Sequence, residues 1–356
     1  MTGPFHHDVQ SERPDFPIAL DRVGLEDVRK RIDIKQKNGQ YSMDVSIKAF
    51  VNLPAVQRGA HMSRSAESIE DCISEQIFTA KHNIEEFAAD IARAMLEKHA
   101  YAERSHVEME GPFIIQARQR DGQASTQAAY RLRCTADATR VTTGEIDGIT
   151  GGTTAPASLT KYPCTLVVSV TADGMIACPC GQEMSREFAK EMLATRRDLQ
   201  LDPVSLDTIL NVIPIATHNQ RATGTITLQV PAPGAVDLYD VIDAIESSMS
   251  GRISGILKRP DEASLIRTVH QDPMFTEDVV RRMAWTLAGD RFKHLPDDMA
   301  TTLLLVSMES IHPHQVSASL STTLGQLRAK VKAEAEGSAS VKEEADAARK
   351  EQSSTR

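Results

Sequence analysis

The chain has 356 residues, of which 41% are hydrophobic and 25% charged, with a formal net charge of −9. That length suits one large domain or two smaller ones, and the composition is that of a globular protein. The acidic balance argues against a general nucleic-acid binder, and the absence of any run of ~18 or more apolar residues leaves no spanning helix to expect.

Residues 1–17 read as a polar, proline-containing arm without the basic-then-apolar pattern of a secretory signal. The five cysteines, Cys72, Cys134, Cys164, Cys178 and Cys180, are an odd count, which points to reduced thiols in the cytoplasm. From Tyr41 to Val51 the apolar side alternates (Tyr41, Met43, Val45, Ile47, Ala49, Val51), the period of a half-buried strand. Two stretches of helical spacing follow. One carries Ile69, Cys72, Ile73 and Ile77; the other carries Ile84, Phe87, Ile91 and Met95, with Asn83 and Glu86 placed to cap it. Strand patterns return near 105–118 and 127–135, and residues 136–160, rich in Gly, Thr and Ala, read as a loop.

The second half repeats this order. Residues 164–170 and 223–230 read as strands. A helix presents Leu238, Val241, Ile242, Ile245 and Met249 on one face, another covers about 276–290, and strands near 302–308 and 315–320 close the unit. Each half is thus strand, strand, helix, helix, strand, strand. The units fall at 18–140 and 141–330, the second interrupted by an insertion at 181–216 with a helix near 184–197. From about 331 the chain is polar and too poor in large apolar groups to order itself as a packed element.

Five segments carry groups that could do chemistry. Cys178-Pro179-Cys180 offers two thiols, and thiolates bind soft or borderline metals. One thiol would be a ligand and the other its neighbour; two buried small residues are the plain alternative. Thr217-His218-Asn219-Gln220-Arg221 precedes a strand and offers an imidazole followed by polar groups. Glu309-Ser310-Ile311-His312-Pro313-His314 ends a strand, and on regular strand backbone its two rings would share a face. Lys258-Arg259-Pro260-Asp261-Glu262 reads as a charged loop after a helix, of interest for Glu262 only within a Cys/His/His/Glu set. Arg58-Gly59-Ala60-His61-Met62-Ser63-Arg64 places two cations and a His ahead of a helix, which suits an anion or a plain basic turn.

Taken together and in order from about residue 17 to 330, RGAHMSR, ACPCGQEM, ATHNQR, LKRPDE, FTEDVVR and ESIHPH resemble the type IB GTP cyclohydrolases. The start IALDRVGLEDVRKRI and the long gap between CPC and THNQR resemble the archaeal branch, which opens methanopterin synthesis. The resemblance implies an α+β tunnelling fold, with two ββααββ units per chain whose antiparallel sheets form barrels on oligomerisation into a homotetramer. It also implies ferrous iron, with manganese or zinc as substitutes, on Cys178 or Cys180, His218, Glu262 and His312. By the same resemblance Glu277 anchors the guanine edge, and the product carries a 2′,3′-cyclic phosphate.

The chemistry suits these groups. A metal lowers the pKa of its water toward ~7, supplying hydroxide to guanine C8 at neutral pH. His314 or the second thiol can move protons as N9 and N7 leave. Arg58, Arg64 and Arg221 are the candidates for the triphosphate, with His61, Gln220 and Glu309 also set toward substrate. Competing readings are a bacterial-type cyclohydrolase giving dihydroneopterin triphosphate, another pterin or purine enzyme of the fold such as a nitrile reductase, and a structural metal module. A nitrile reductase needs a nicotinamide cofactor and no Glu/His/His set, and a structural site would be closed to water.

Overall fold

The computed structural model describes residues 7–36, 39–74, 83–117, 126–142 and 160–336. The chain divides into two compact units. One comprises Met1–Gln116, Ala129–Ser169 and Gln229–Asp237; the other comprises Ala117–Ala128, Val170–Leu228 and Leu238–Arg356.

In the first unit, β1 (Leu20–Gln36) pairs antiparallel with β2 (Gly39–Leu53). Helices α1 (Met62–Ser74) and α2 (Ile84–Lys98) follow and pack on each other. Then come β3 (Arg104–Ala117) and β4 (Thr126–Thr139), and the strand order is β1-β2-β3-β4. The alternation read from Tyr41 to Val51 is the pleat of β2: Met43, Val45, Ile47, Ala49 and Val51 are buried because successive side chains of a strand point to opposite faces. Against that face α2 sets Phe87, Ile91 and Met95, all fully buried, each side chain contributing about 1.5–3 kcal/mol on burial. Asn83 caps α2 as expected, its side-chain oxygen accepting from the Glu86 N–H at 3.3 Å.

Two expectations are corrected here. Residues 136–142 are not loop, since β4 runs to Thr139 and β5 (Val141–Thr142) pairs with β6 (Thr160–Lys161); Thr and Ala simply give no strong period. The strand over 20–36, to which no period was assigned, lies at the edge; it buries Ile32 and Ile34, but register shifts at Leu20/Val23 and Leu25/Val28 interrupt its alternation, and its other face carries charge, with Arg31 paired to Asp44 across to β2 at 2.8 Å. Ile77, residue 118 and most of the expected loop (143–159) lie outside the described residues, as does the tail beyond 336.

In the second unit the strands are β7 (Cys164–Ala177), β8 (Asn219–Val230), β10 (Ala300–Ser307) and β11 (Val316–Thr323), in that order, with the short β9 (Gly251–Arg252) on β7. β10 pairs antiparallel with both β8 and β11. Between β7 and β8 lie α3 (Pro179–Ala194) and α4 (Pro203–Val212), so the insertion holds two helices where one was expected. α5 (Leu238–Glu246), α6 (Arg259–Gln271) and α7 (Thr276–Leu287) precede β10, and a helix over 324–336 follows β11. α7 packs on β10 and β11, burying Val279, Met283 and Leu287 against Leu303 and Leu305.

The segment Lys258–Glu262, expected as a charged loop, instead opens α6. Pro260 sits in the first turn, where its missing N–H costs nothing, and Asp261 reaches back to accept from the Lys258 N–H at 3.1 Å. The described architecture is therefore α+β with antiparallel sheets.

Candidate functional site

Cys178, Cys180 and His218 lie where β7 ends and β8 begins. Cys178 is not on strand backbone, as a regular Cys-x-Cys reading would have it. It is the N-cap of α3, Pro179 is the first helical residue, and the Cys178 sulfur accepts from the Gly181 N–H at 3.4 Å. Pro179 explains the difference, since its fixed φ suits a helix start as well as a strand edge. Cys180, the second helical residue, is exposed while Cys178 is half-buried.

His218 is tied to this corner through the main chain, the Cys178 N–H donating to the His218 carbonyl at 3.1 Å and the Thr217 hydroxyl to the Cys178 carbonyl at 2.7 Å. Gly181 makes the approach feasible. A Cβ there would lie 2.7 Å from Thr217 Oγ1 and 3.2 Å from Cδ2 of the His218 ring. The sulfur of Cys178 and the ring of His218 thus stand on either side of a residue with no side chain.

The other ring nitrogen of His218 is occupied. Nδ1 lies 3.1 Å from Gln220 Oε1 and 3.4 Å from Ser310 Oγ. Gln220 is buried and turned by its own partners, with Nε2 donating to Ser307 Oγ at 3.3 Å and to Glu309 Oε1 at 3.1 Å. Glu309 Oε1 also accepts from the Ser307 hydroxyl at 2.7 Å. An amide whose nitrogen faces a carboxylate must present its oxygen to the imidazole. In the neutral imidazole this puts the proton on Nδ1 and the lone pair on Nε2, the tautomer that a metal ligand needs. Gln220 and Glu309, set toward substrate in the sequence, are placed behind His218. Thr217, Ser310 and Gly181 stand within the sequence motifs but were given no role there, and Ser307 was missed, marked only by its position beside them.

The remaining expected ligands are carried on separate segments. Glu262 is exposed on the first turn of α6, and His312 is exposed past the end of β10. Its ring is stacked on that of His314, with centroids 5.1 Å apart and planes 9° apart. Among the described residues, no three His, Cys, Asp or Glu side chains stand together closely enough to hold an ion. The donor chemistry at Cys178 and His218, a sulfur and an imidazole with one open nitrogen, fits a borderline metal; completing a four-donor set requires Glu262 and His312 to approach.

Glu277 lies on the first turn of α7, exposed, with Oε2 accepting from the Thr276 hydroxyl at 2.9 Å. Arg221 is exposed at the start of β8. In the first unit, Arg58 is ion-paired with Glu12 at 2.6 Å, and Arg64 donates to the Lys98 carbonyl at 3.4 Å. His61 Nε2 lies 3.0 Å from Asp8 Oδ2, while its Nδ1 is buried with no partner among the described residues. Arg58 holds Glu12 below the usual carboxylate range, and so does His7.

Comparison with known proteins bears on these motifs. The family described as Type I GTP cyclohydrolase folE2 matches residues 7–318. Among curated relatives, GTP cyclohydrolase MptA of Methanococcoides burtonii is 36% identical over 326 residues, covering 91% of this chain and 96% of that one. GTP cyclohydrolase MptA of Methanocaldococcus jannaschii is 35% identical over 322 residues, covering 90% and 96%. Among solved structures, the uricase from Bacillus fastidious aligns with a TM-score of 0.45 and 11% identity over 88% of this chain and 96% of that one. The uricase from Arthrobacter globiformis aligns with a TM-score of 0.43 and 7% identity over 85% and 93%. Likeness at that level carries no argument about site or activity.

Proposed function

The chain belongs to the type I GTP cyclohydrolase folE2 family, and on that premise we propose that it opens the imidazole ring of GTP at a ferrous centre built on Cys178 and His218. The products are formate and 7,8-dihydroneopterin 2′,3′-cyclic phosphate for tetrahydromethanopterin synthesis, as the archaeal relatives' name and shared length favour. The observation that carries the metal reading is the chain from Glu309 through Gln220 to Nδ1 of His218, which leaves open Nε2 of a ring that, like the Cys178 sulfur, lies close to Gly181.

Iron there would supply the Lewis acidity that makes water a nucleophile at neutral pH. Cys178, His218, Glu262 and His312 would hold it, in a homotetramer of tunnelling-fold units. Glu277 accepts from guanine N1–H and the 2-amino group, which two carboxylate oxygens can take side by side. His314 and the Cys180 thiol, both exposed, move protons as the C8–N bonds break. Arg221 meets the phosphates with its donor fork. Arg58 and Arg64 do the same only on leaving Glu12 and the Lys98 carbonyl.

The metal reading is tested by metal analysis of His218→Ala and Glu262→Ala. Both lose iron and turnover with the far-ultraviolet circular dichroism unchanged. Full activity in a metal-free His218→Ala protein contradicts it.

A further inference from the structure

The two units repeat one order of elements, and the repeat places α2 and α7 in the same position, each the last helix before the closing strands. Both helices open alike. After the N-cap residue (Asn83 in α2, Phe275 in α7), the second and third helical residues are acidic: Glu85 and Glu86 in one, Glu277 and Asp278 in the other. Glu85 is therefore the positional counterpart of Glu277.

Their surroundings are opposite. Glu277 is exposed, and its carboxylate accepts from the hydroxyl of the residue before it. Glu85 is 1% exposed. Its carboxylate accepts from its own N–H and from the N–H of Gly234, and Oε2 has no partner among the described residues. Gly234 belongs to the segment 229–237 of the same unit. It sits at φ +70, and a Cβ on it would lie 2.7 Å from Asn83 Nδ2. Only glycine adopts that backbone at no steric cost and lets a peptide come so close to the start of α2.

We infer that the first repeat holds a closed copy of the purine anchor: Glu85 stands where Glu277 stands, and the Gly234 peptide N–H occupies the place that a purine N–H takes at Glu277, so each chain offers one purine anchor. This rests on Glu277 being the guanine anchor.

The orphaned oxygen follows from the exchange. A guanine edge offers two adjacent donors and satisfies both oxygens of a carboxylate; here the N–H groups of Glu85 and Gly234 leave Oε2 without a partner among the described residues. A buried acceptor without a partner is rare in proteins, and here the geometry that strands it is a ligand-type carboxylate closed by main chain.

The experiment titrates the iron-loaded protein, without oxygen, with 7-deaza-GTP, which keeps N1–H and the 2-amino group but carries carbon at position 7. The wild type binds one equivalent per chain. Glu85→Gln binds the same equivalent with affinity unchanged within about twofold, and Glu277→Gln binds at least ~10-fold more weakly. Two equivalents per chain, or loss of binding in a folded Glu85→Gln protein, overturns the inference.

Amide hydrogen exchange separates this from the reading of Glu277. The Gly234 N–H is slow to exchange in the wild type and in Glu85→Gln, which keeps an acceptor oxygen, and at least ~10-fold faster in Glu85→Ala. Equal rates in all three overturn the closure. Unchanged binding in Glu277→Gln with Gly234 still protected overturns the anchor instead. Should Glu85→Ala fail to fold, fast exchange at Gly234 in the wild type serves as the overturning result.

Discussion

His218 presents Nδ1 to Gln220 Oε1 at 3.1 Å, and Gln220 is held in that orientation by Glu309 at 3.1 Å on its amide nitrogen. The imidazole is thus fixed in ring plane and tautomer by a buried amide rather than by backbone. Partners of this kind tune metal affinity or activity by about 10–100-fold. Gln220→Leu accordingly lowers iron affinity and kcat/KM into that range, while Gln220→Glu, which keeps an acceptor toward Nδ1, retains more. Equal, wild-type behaviour in both would remove Gln220 from the site.

The two thiols of the CPC segment are expected to separate in function. Cys178 caps α3 and faces the Gly181 N–H; Cys180 is exposed. Cys178→Ser keeps a good N-cap, so it folds but loses iron. Cys180→Ser keeps iron and slows turnover. Metal analysis and anaerobic assays on both variants in parallel decide this, and full metal with full activity in both makes the segment structural.

Glu277 is the test of guanine recognition. Removing its carboxylate leaves two purine donors unpaired, at about 1–3 kcal/mol or more. Glu277→Ala therefore lowers kcat/KM by roughly one to two orders of magnitude with iron retained. An unchanged kcat/KM moves the anchor elsewhere.

Much of the fold was legible because β2, α2, α5 and α7 each bury one regular face, and periodicity reports burial. Where the buried face is interrupted or nearly absent the signal fades. β1 is an edge strand held by charged cross-strand pairs such as Arg31 with Asp44, and α6 buries only Val269, so its Lys-Arg-Pro-Asp-Glu start resembled a loop. Pro179 was ambiguous because one dihedral serves both a strand edge and a helix start. At the site, the types Cys178, His218, Gln220 and Glu309 could be picked from motifs, but their order could not. That Gln220 and Glu309 stand behind His218 depends on the pairing of β8 with β10, which sets Ala222 opposite Ser307. Burial of Glu85 was invisible, since no spacing rule marks a carboxylate for the interior.

Burial pushes the Glu85 carboxyl up from 4.5 to about 7, with the charge of Glu86 adding to it. The folded state therefore holds the proton more tightly than the unfolded chain. The stability this contributes is complete below about 4.5 and is lost as pH rises to about 7, by at most ~1.4 kcal/mol per pH unit. Glu85→Gln, permanently neutral, removes that loss. Its melting temperature relative to wild type rises more at pH 8 than at pH 5, and a difference independent of pH contradicts the assignment.

The central claim is met most directly by incubating the ferrous protein with GTP in the absence of oxygen and measuring formate together with the phosphorus spectrum of the pterin formed. The account predicts one formate per GTP and a pterin bearing a 2′,3′-cyclic phosphate, with neither appearing in metal-free protein or in His218→Ala. No formate from the iron-loaded wild type, or an undiminished yield from protein stripped of metal, would contradict it.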